Sequence, residues 1–195
     1  MPTIKPPFLP GHYYHLYNRG AHRASIFHEP TNYFFVLRKI RKYCHELSIS
    51  PIAYSLLPNH YHFLVRQDGE KAAGLLPQYV FNGYTKAYNI RYKHSGTLFE
   101  GHFQAILVEK DSYLLHLCRY IHANPVKHVL VDHPADWPYS NYLEWIGERN
   151  GTLVDQAFVQ AHFPQTDEYR KFVLDYIRTR DLPEDLHRYL ESLDE

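Results

Sequence analysis

Apolar positions recur along this chain with two periods, and they lay out its elements before any chemistry is considered. Residues 13–18 are aromatic and β-rich and close on Asn18-Arg19-Gly20, the pattern of a strand running into a turn. From residue 30 to residue 47, Phe34, Leu37, Ile40, Tyr43 and Leu47 fall at helical spacing, with Pro30 near the first turn. Arg38, Lys39, Arg41 and Lys42 fill the remaining surface as an ordinary exposed face. Residues 49–57 and 61–66 read as two strands interrupted at Leu57-Pro58-Asn59. Residues 75–92 read as a long amphipathic helix carrying Tyr79, Tyr84 and Tyr88, and residues 103–109 as a further strand. Asp111-Ser112 then caps a helix through Leu114, Leu115, Leu117, Cys118 and Ile121. Asn124-Pro125 ends it, because the residue before proline is pushed out of helical geometry.

The first six elements have the βαββαβ order of a ferredoxin-like α+β sandwich with an antiparallel central sheet. One helix follows the last strand. Beyond Val131 the pattern predicts helices over 167–180 and 183–193. The expected organisation is a core over 1–131 and an acidic helical appendage over 132–195 packed on it.

Charge sharpens that division. The chain is formally neutral, yet residues 1–131 hold 15 Lys/Arg against 7 Asp/Glu, and residues 132–195 hold 6 against 14. A basic body with an acidic tail suggests a polyanion partner for the body, although an uneven solvated surface gives the same count. The two cysteines, Cys44 and Cys118, form no CxxC pair or disulfide framework. No apolar run has the length of a membrane span, and the proline-rich start has no apolar signal segment. The expectation is a soluble, cytoplasmic protein without membrane partners.

Two segments carry candidate chemistry. In Pro58-Asn59-His60-Tyr61-His62-Phe63, strand alternation projects His60 and His62 to one face and Tyr61 and Phe63 to the other. Two neutral imidazoles side by side can share a cation. In a chain with 15 histidines the bare pattern is weak, and two histidines without metal is the plain alternative. In Arg119-Tyr120-Ile121-His122-Ala123-Asn124-Pro125, Tyr120 and Asn124 share one helix face. A helix C-terminus favours a cation near Asn124, while a simple C-cap is the alternative.

The combination is more specific. Tyr14-His15-Leu16-Tyr17-Asn18-Arg19-Gly20, Pro58-Asn59-His60-Tyr61-His62-Phe63-Leu64, Gly96-Thr97-Leu98-Phe99-Glu100-Gly101-His102-Phe103, Arg119-Tyr120-Ile121-His122-Ala123-Asn124-Pro125-Val126 and Trp137-Pro138-Tyr139-Ser140 follow in order. Together they resemble the single-tyrosine HUH transposases, in particular the REP-associated tyrosine transposases and relatives in the smallest bacterial insertion sequences. The resemblance implies a tyrosine nucleophile at Tyr120 and metal ligands at His60, His62 and Asn124. It further implies Mg²⁺ or Mn²⁺ as cofactor and single-stranded or hairpin DNA as partner, and it admits both a monomer and a homodimer. The expected activity is metal-dependent DNA nicking and strand transfer through a 5′-phosphotyrosine. His102 departs from the pattern, since many relatives carry Arg there.

Lys86, Arg91, Lys93, Arg119 and Lys127 are the basic candidates for DNA contact, with Tyr84, Tyr88 and Phe99 as stacking candidates. Two other readings stay open. One is a domesticated, non-catalytic nucleic-acid-binding module. The other is a metal-dependent hydrolase with Glu100 or Glu109 as carboxylate base.

Overall fold

The computed structural model describes residues 7–190 apart from 185 and 189. Its elements are β1 (Tyr13–Arg19), α1 (Pro30–Leu47), β2 (Ile49–Leu57), β3 (His60–Gln67), α2 (Leu75–Tyr92), β4 (Gln104–Val108) and α3 (Asp111–Lys127). Three helices follow: α4 (Tyr142–Trp145), α5 (Gln156–His162) and α6 (Thr166–Thr179). The strands form one sheet in the order β2-β3-β1-β4, and every neighbouring pair is antiparallel. This is the expected ferredoxin-like α+β sandwich.

Each sheet face buries its own core. Tyr14, Leu16, Tyr54, Leu56, Tyr61, Phe63 and Val65 face α1 and α2. Ile52, Ala53 and Leu64 face α3 and the tail helices. A bulge between Pro51 and Ala53 breaks strand alternation, which lets the consecutive Ile52 and Ala53 enter the same core. Helix α6 lies along α3 and buries Tyr169, Val173 and Tyr176 completely or nearly so. Asp155 caps α5 through the Phe158 amide and pairs with Arg66 on β3 at 2.8 Å, tying tail to sheet.

Three expectations are corrected. The buried stripe of α1 is Tyr33, Val36, Ile40, Cys44 and Leu47; Phe34 is 53% exposed and Leu37 and Tyr43 are only half-buried. Both stripes satisfy helical spacing, and the packing against α2 and the sheet decides between them. Helix α3 runs through Pro125 to Lys127, and its last turn closes through His128 N–H to Asn124 C=O at 2.9 Å. The proline forfeits the one intrahelical bond that its missing N–H would have made to the carbonyl four residues earlier. The N-cap of α3 is Lys110, without a side-chain cap, so Asp111 and Ser112 stand inside the helix.

In the tail, α6 answers the helix expected over 167–180, whereas α4 and α5 were not anticipated. The helix expected over 183–193 lies partly outside the described residues; helical backbone is present at 184, 186–188 and 190. No helix among the described residues is long and apolar enough to cross a membrane.

Candidate active site

Strand alternation in β3 places His60 and His62 on the α3 face and sends Tyr61 and Phe63 into the opposite core. Antiparallel register then sets their neighbours: Tyr17 and Ser55 flank His62, and Arg19 and Leu57 flank His60. The two imidazoles stand nearly perpendicular, with ring centroids 5.2 Å apart. Asn59 Oδ1 accepts from His60 Nδ1 at 2.7 Å, so Nε2 is the nitrogen of that ring that carries the lone pair. His62 is buried, and its Nδ1 lies 3.0 Å from Nε2 of His15 on β1. Burial holds the His62 pKa well below the usual imidazole range, helped by the positive potential of His15, His60, His128 and Lys127. Burial alone pushes His15 down to about 3. Both rings are therefore neutral at physiological pH, the form that can ligate a cation.

The facing helix supplies the tyrosine and the amide. The Tyr120 ring sits 5.8 Å from His62 at 78°. One turn later, Asn124 Nδ2 donates to the Tyr120 carbonyl at 3.0 Å. Asn124 Oδ1 is buried and has no hydrogen-bond partner among the described residues. A buried amide oxygen left unsatisfied is costly, and a bound ion is one partner that would relieve it. Among the described residues no three His, Cys, Asp or Glu form a group that could hold a metal ion. A third donor to accompany the two histidines would have to be of another kind, and the orphaned Asn124 oxygen has chemistry that suits a hard cation. By donor type, His60, His62 and Asn124 are residues that could hold the expected ion.

A cleft of about 430 Å³ opens beside the histidines. His60, His62 and His128 line one side, with Tyr17, Asn18 and Arg19 from β1, Gln104 from β4, and Arg23, Asn59 and Glu100 from loops. Arg19 pairs with Glu100 at 2.5 Å, and that bond holds the Glu100 carboxyl below its usual range. Arg23 reaches the cleft because Gly20 ends β1 and lets the turn Ala21–Arg23 fold back tightly. A Cβ at Gly20 would collide with the Ala24 carbonyl. Gly20 N–H also donates to Asn59 C=O at 2.7 Å, which locks the turn to the β2–β3 hairpin.

Tyr120 and Asn124 do not line this cleft; Tyr120 is 1% exposed. The tyrosine is brought beside the histidines but is shielded from their open side.

The expected DNA contacts divide. Lys86 and Lys93 are exposed on α2 and its exit. Arg91 is exposed and pairs with Glu29 at 2.5 Å. Lys127 is half-buried, its ammonium 5.0 Å from the Tyr120 ring centroid. Arg119 is buried: it donates to the Asp181 carbonyl and stacks over Phe172 at 4.4 Å, so it is not a surface contact. Tyr84 and Tyr88 are core residues, their hydroxyls donating to the Ile26 carbonyl and meeting His28 Nε2, and neither is placed to stack on a base. Phe99 is half-buried, and with the exposed His102 it borders an adjoining groove. Glu100 lies in the cleft; Glu109 lines a separate depression. Sequence reasoning missed Arg19, Arg23, Gln104 and His128. His128 had a signal, standing four residues after Asn124 on a helix that was ended too early. Arg19 and Gln104 depend on strand pairing, and Arg23 on the turn after Gly20.

No family model matches the chain. A Haemophilus influenzae protein named "Putative REP-associated tyrosine transposase" is 27% identical over 110 residues, covering 51% of this chain. The match spans 62% of that relative's length. A solved REP-associated tyrosine transposase bound to a REP hairpin superposes with a TM-score of 0.65 at 19% identity, covering 80% of this chain and 94% of that one. At that identity the likeness is one of fold. The resemblance to REP-associated tyrosine transposases holds in both comparisons.

Proposed function

We propose that this chain nicks single-stranded DNA beside a hairpin with Tyr120 as nucleophile, and transfers the strand to a second end. The observation that carries the reading is the seam between β3 and α3, where Tyr120 meets His62 and an orphaned Asn124 oxygen lies one turn away. The similarity to REP-associated tyrosine transposases supports it.

The Tyr120 hydroxyl would lose its proton and attack the scissile phosphorus. The P–O3′ bond would break, and the leaving oxygen would take up a proton to become a free 3′-hydroxyl. The new phosphotyrosine keeps the ester's energy, so attack by another 3′-hydroxyl rejoins strands. An isolated tyrosine has a pKa of about 10 and is a poor nucleophile at neutral pH. His60, His62 and Asn124 would hold Mg²⁺ or Mn²⁺, whose chemistry when bound is to offset phosphate charge and favour the phenolate. Arg19 and Arg23 both line the cleft, Arg19 paired with Glu100, and Arg23, exposed there, would approach the neighbouring backbone. Because Tyr120 is shielded, attack requires its side chain or α3 to turn toward the cleft.

The test is incubation with hairpin-flanked single-stranded DNA and Mn²⁺, read on a denaturing gel. A covalent band lost in Tyr120→Phe is expected. Binding without an adduct would replace this reading with a non-catalytic module. A 5′-phosphate product without adduct would favour hydrolysis, for which Glu100 is the carboxylate in the cleft.

A further inference from the structure

We propose that His15 is a positioning residue: through its contact with His62 it selects the tautomer that turns the His62 Nε2 lone pair to the cleft. This rests on the reading of His62 as a cation ligand.

His15 and His62 stand on adjacent strands, both buried, with Nε2 of the first 3.0 Å from Nδ1 of the second. Their rings are near parallel, at 23° with centroids 5.1 Å apart. The contact uses Nδ1 of His62, so Nε2 is the nitrogen left to serve the cleft that His62 lines. A ligating nitrogen must present a lone pair. The single proton of neutral His62 must then sit on Nδ1 and be donated to His15. His15 in turn must offer a bare Nε2 and carry its own proton on Nδ1. The opposite arrangement, with His15 Nε2–H donating, would place the His62 proton on Nε2 and close the ring to a cation.

Tyr17 holds the planes in place, stacked 5.0 Å from His15 and 6.0 Å from His62. A histidine suits this position better than the carboxylate that often orients a ligating imidazole. A carboxylate so deeply buried would carry an expensive charge, whereas imidazole accepts the bond while neutral. His60 is oriented by a different device, the Asn59 amide oxygen, so the two imidazoles have separate supports.

The experiment uses the full chain. Long-range ¹H–¹⁵N correlation on the metal-free protein should show Nδ1–H tautomers for both His15 and His62. His15→Leu should weaken Mn²⁺ binding, followed by EPR, by about 10–100-fold and abolish the His62 preference. His15→Gln, whose Oε1 can accept the same bond, should restore both. An Nε2–H tautomer at His62 in the wild type would overturn the proposal, as would unchanged Mn²⁺ affinity in a folded His15→Leu. Should that variant not fold, the wild-type tautomer and His15→Gln decide. Absence of Mn²⁺ binding by the wild type overturns the cleavage reading instead, and the tautomer is read without metal, so the two failures are distinguishable.

Discussion

The Tyr120 and His62 rings meet nearly at right angles, 5.8 Å apart, across the seam where α3 packs on β3. The seam joins a group held by the sheet to one carried on a helix. If Tyr120 is the nucleophile, its hydroxyl matters to chemistry and its ring to packing. Tyr120→Phe should leave the unfolding free energy from urea titration within about 1 kcal/mol of wild type and eliminate the DNA adduct. Tyr120→Ala should cost about 3–5 kcal/mol in the same titration.

Asn124 should trade stability for function. Its buried Oδ1 lacks a partner, although Nδ2 bonds the Tyr120 carbonyl. Leucine would lose that bond, worth about 1 kcal/mol, and remove an unsatisfied oxygen costing about 1–3 kcal/mol. Asn124→Leu should therefore match or exceed the metal-free wild type in thermal stability while losing Mn²⁺-dependent cleavage. A loss of several kcal/mol would show that the oxygen is satisfied in solution.

Arg119 and Lys93 should behave oppositely although both looked like DNA contacts in the sequence. Arg119 is packed into the tail, and Arg119→Ala should cost roughly 2 kcal/mol of stability without changing the salt dependence of DNA binding. Lys93 is exposed, and Lys93→Ala should reduce the salt slope by about 1 if its ammonium meets a phosphate.

Stability should fall with acid through His122. Its ring is buried between Tyr169 Oη (2.5 Å) and Asn141 Oδ1 (2.9 Å), and burial lowers its pKa from 6.5 to about 4. The unfolded chain takes up this proton first. The contribution is thus complete above pH 6.5 and is lost as pH falls toward 4, at about 1.4 kcal/mol per pH unit. In His122→Gln, urea titrations of the metal-free protein from pH 7 to 4.5 should show a slope shallower by that amount.

Truncation before Thr166 should unfold the α3 side of the sandwich and not unmask a more active enzyme. Tyr169, Val173 and Tyr176 complete the core that holds Tyr120, Ile121 and Ala123. The check is loss of a cooperative thermal transition; a well-folded, more active fragment would contradict it.

Periodicity located Pro30–Leu47 and Leu75–Tyr92, because each helix buries one face, whereas Ile49–Leu57 is buried on both faces and was legible as a short apolar run. It misjudged what depends on partners. The α1 stripe was ambiguous between two rotations, and the chain contains nothing local to choose between them. Helices α4 and α5 are too short for their period to register. Arg119 looked like a solvent cation because nothing near it in sequence announces Phe172 or Asp181. His60, His62, Tyr120 and Asn124 were legible as motifs. The link from His15, and the cleft positions Arg19 and Gln104, arise from pairing β1 with β3 and β4, so they required the sheet; Arg23 depends on the turn after Gly20.

Gly20 shows what a site can owe to a missing atom. The turn behind it closes only while no methyl group occupies the space below the Ala24 carbonyl. Opening that turn would withdraw Arg23 and loosen the hairpin bearing His60 and His62. A saturation scan for activity should therefore rank position 20 with the histidines, although it has no side chain to donate, accept or carry charge. Tolerance maps drawn from functional groups alone would miss it.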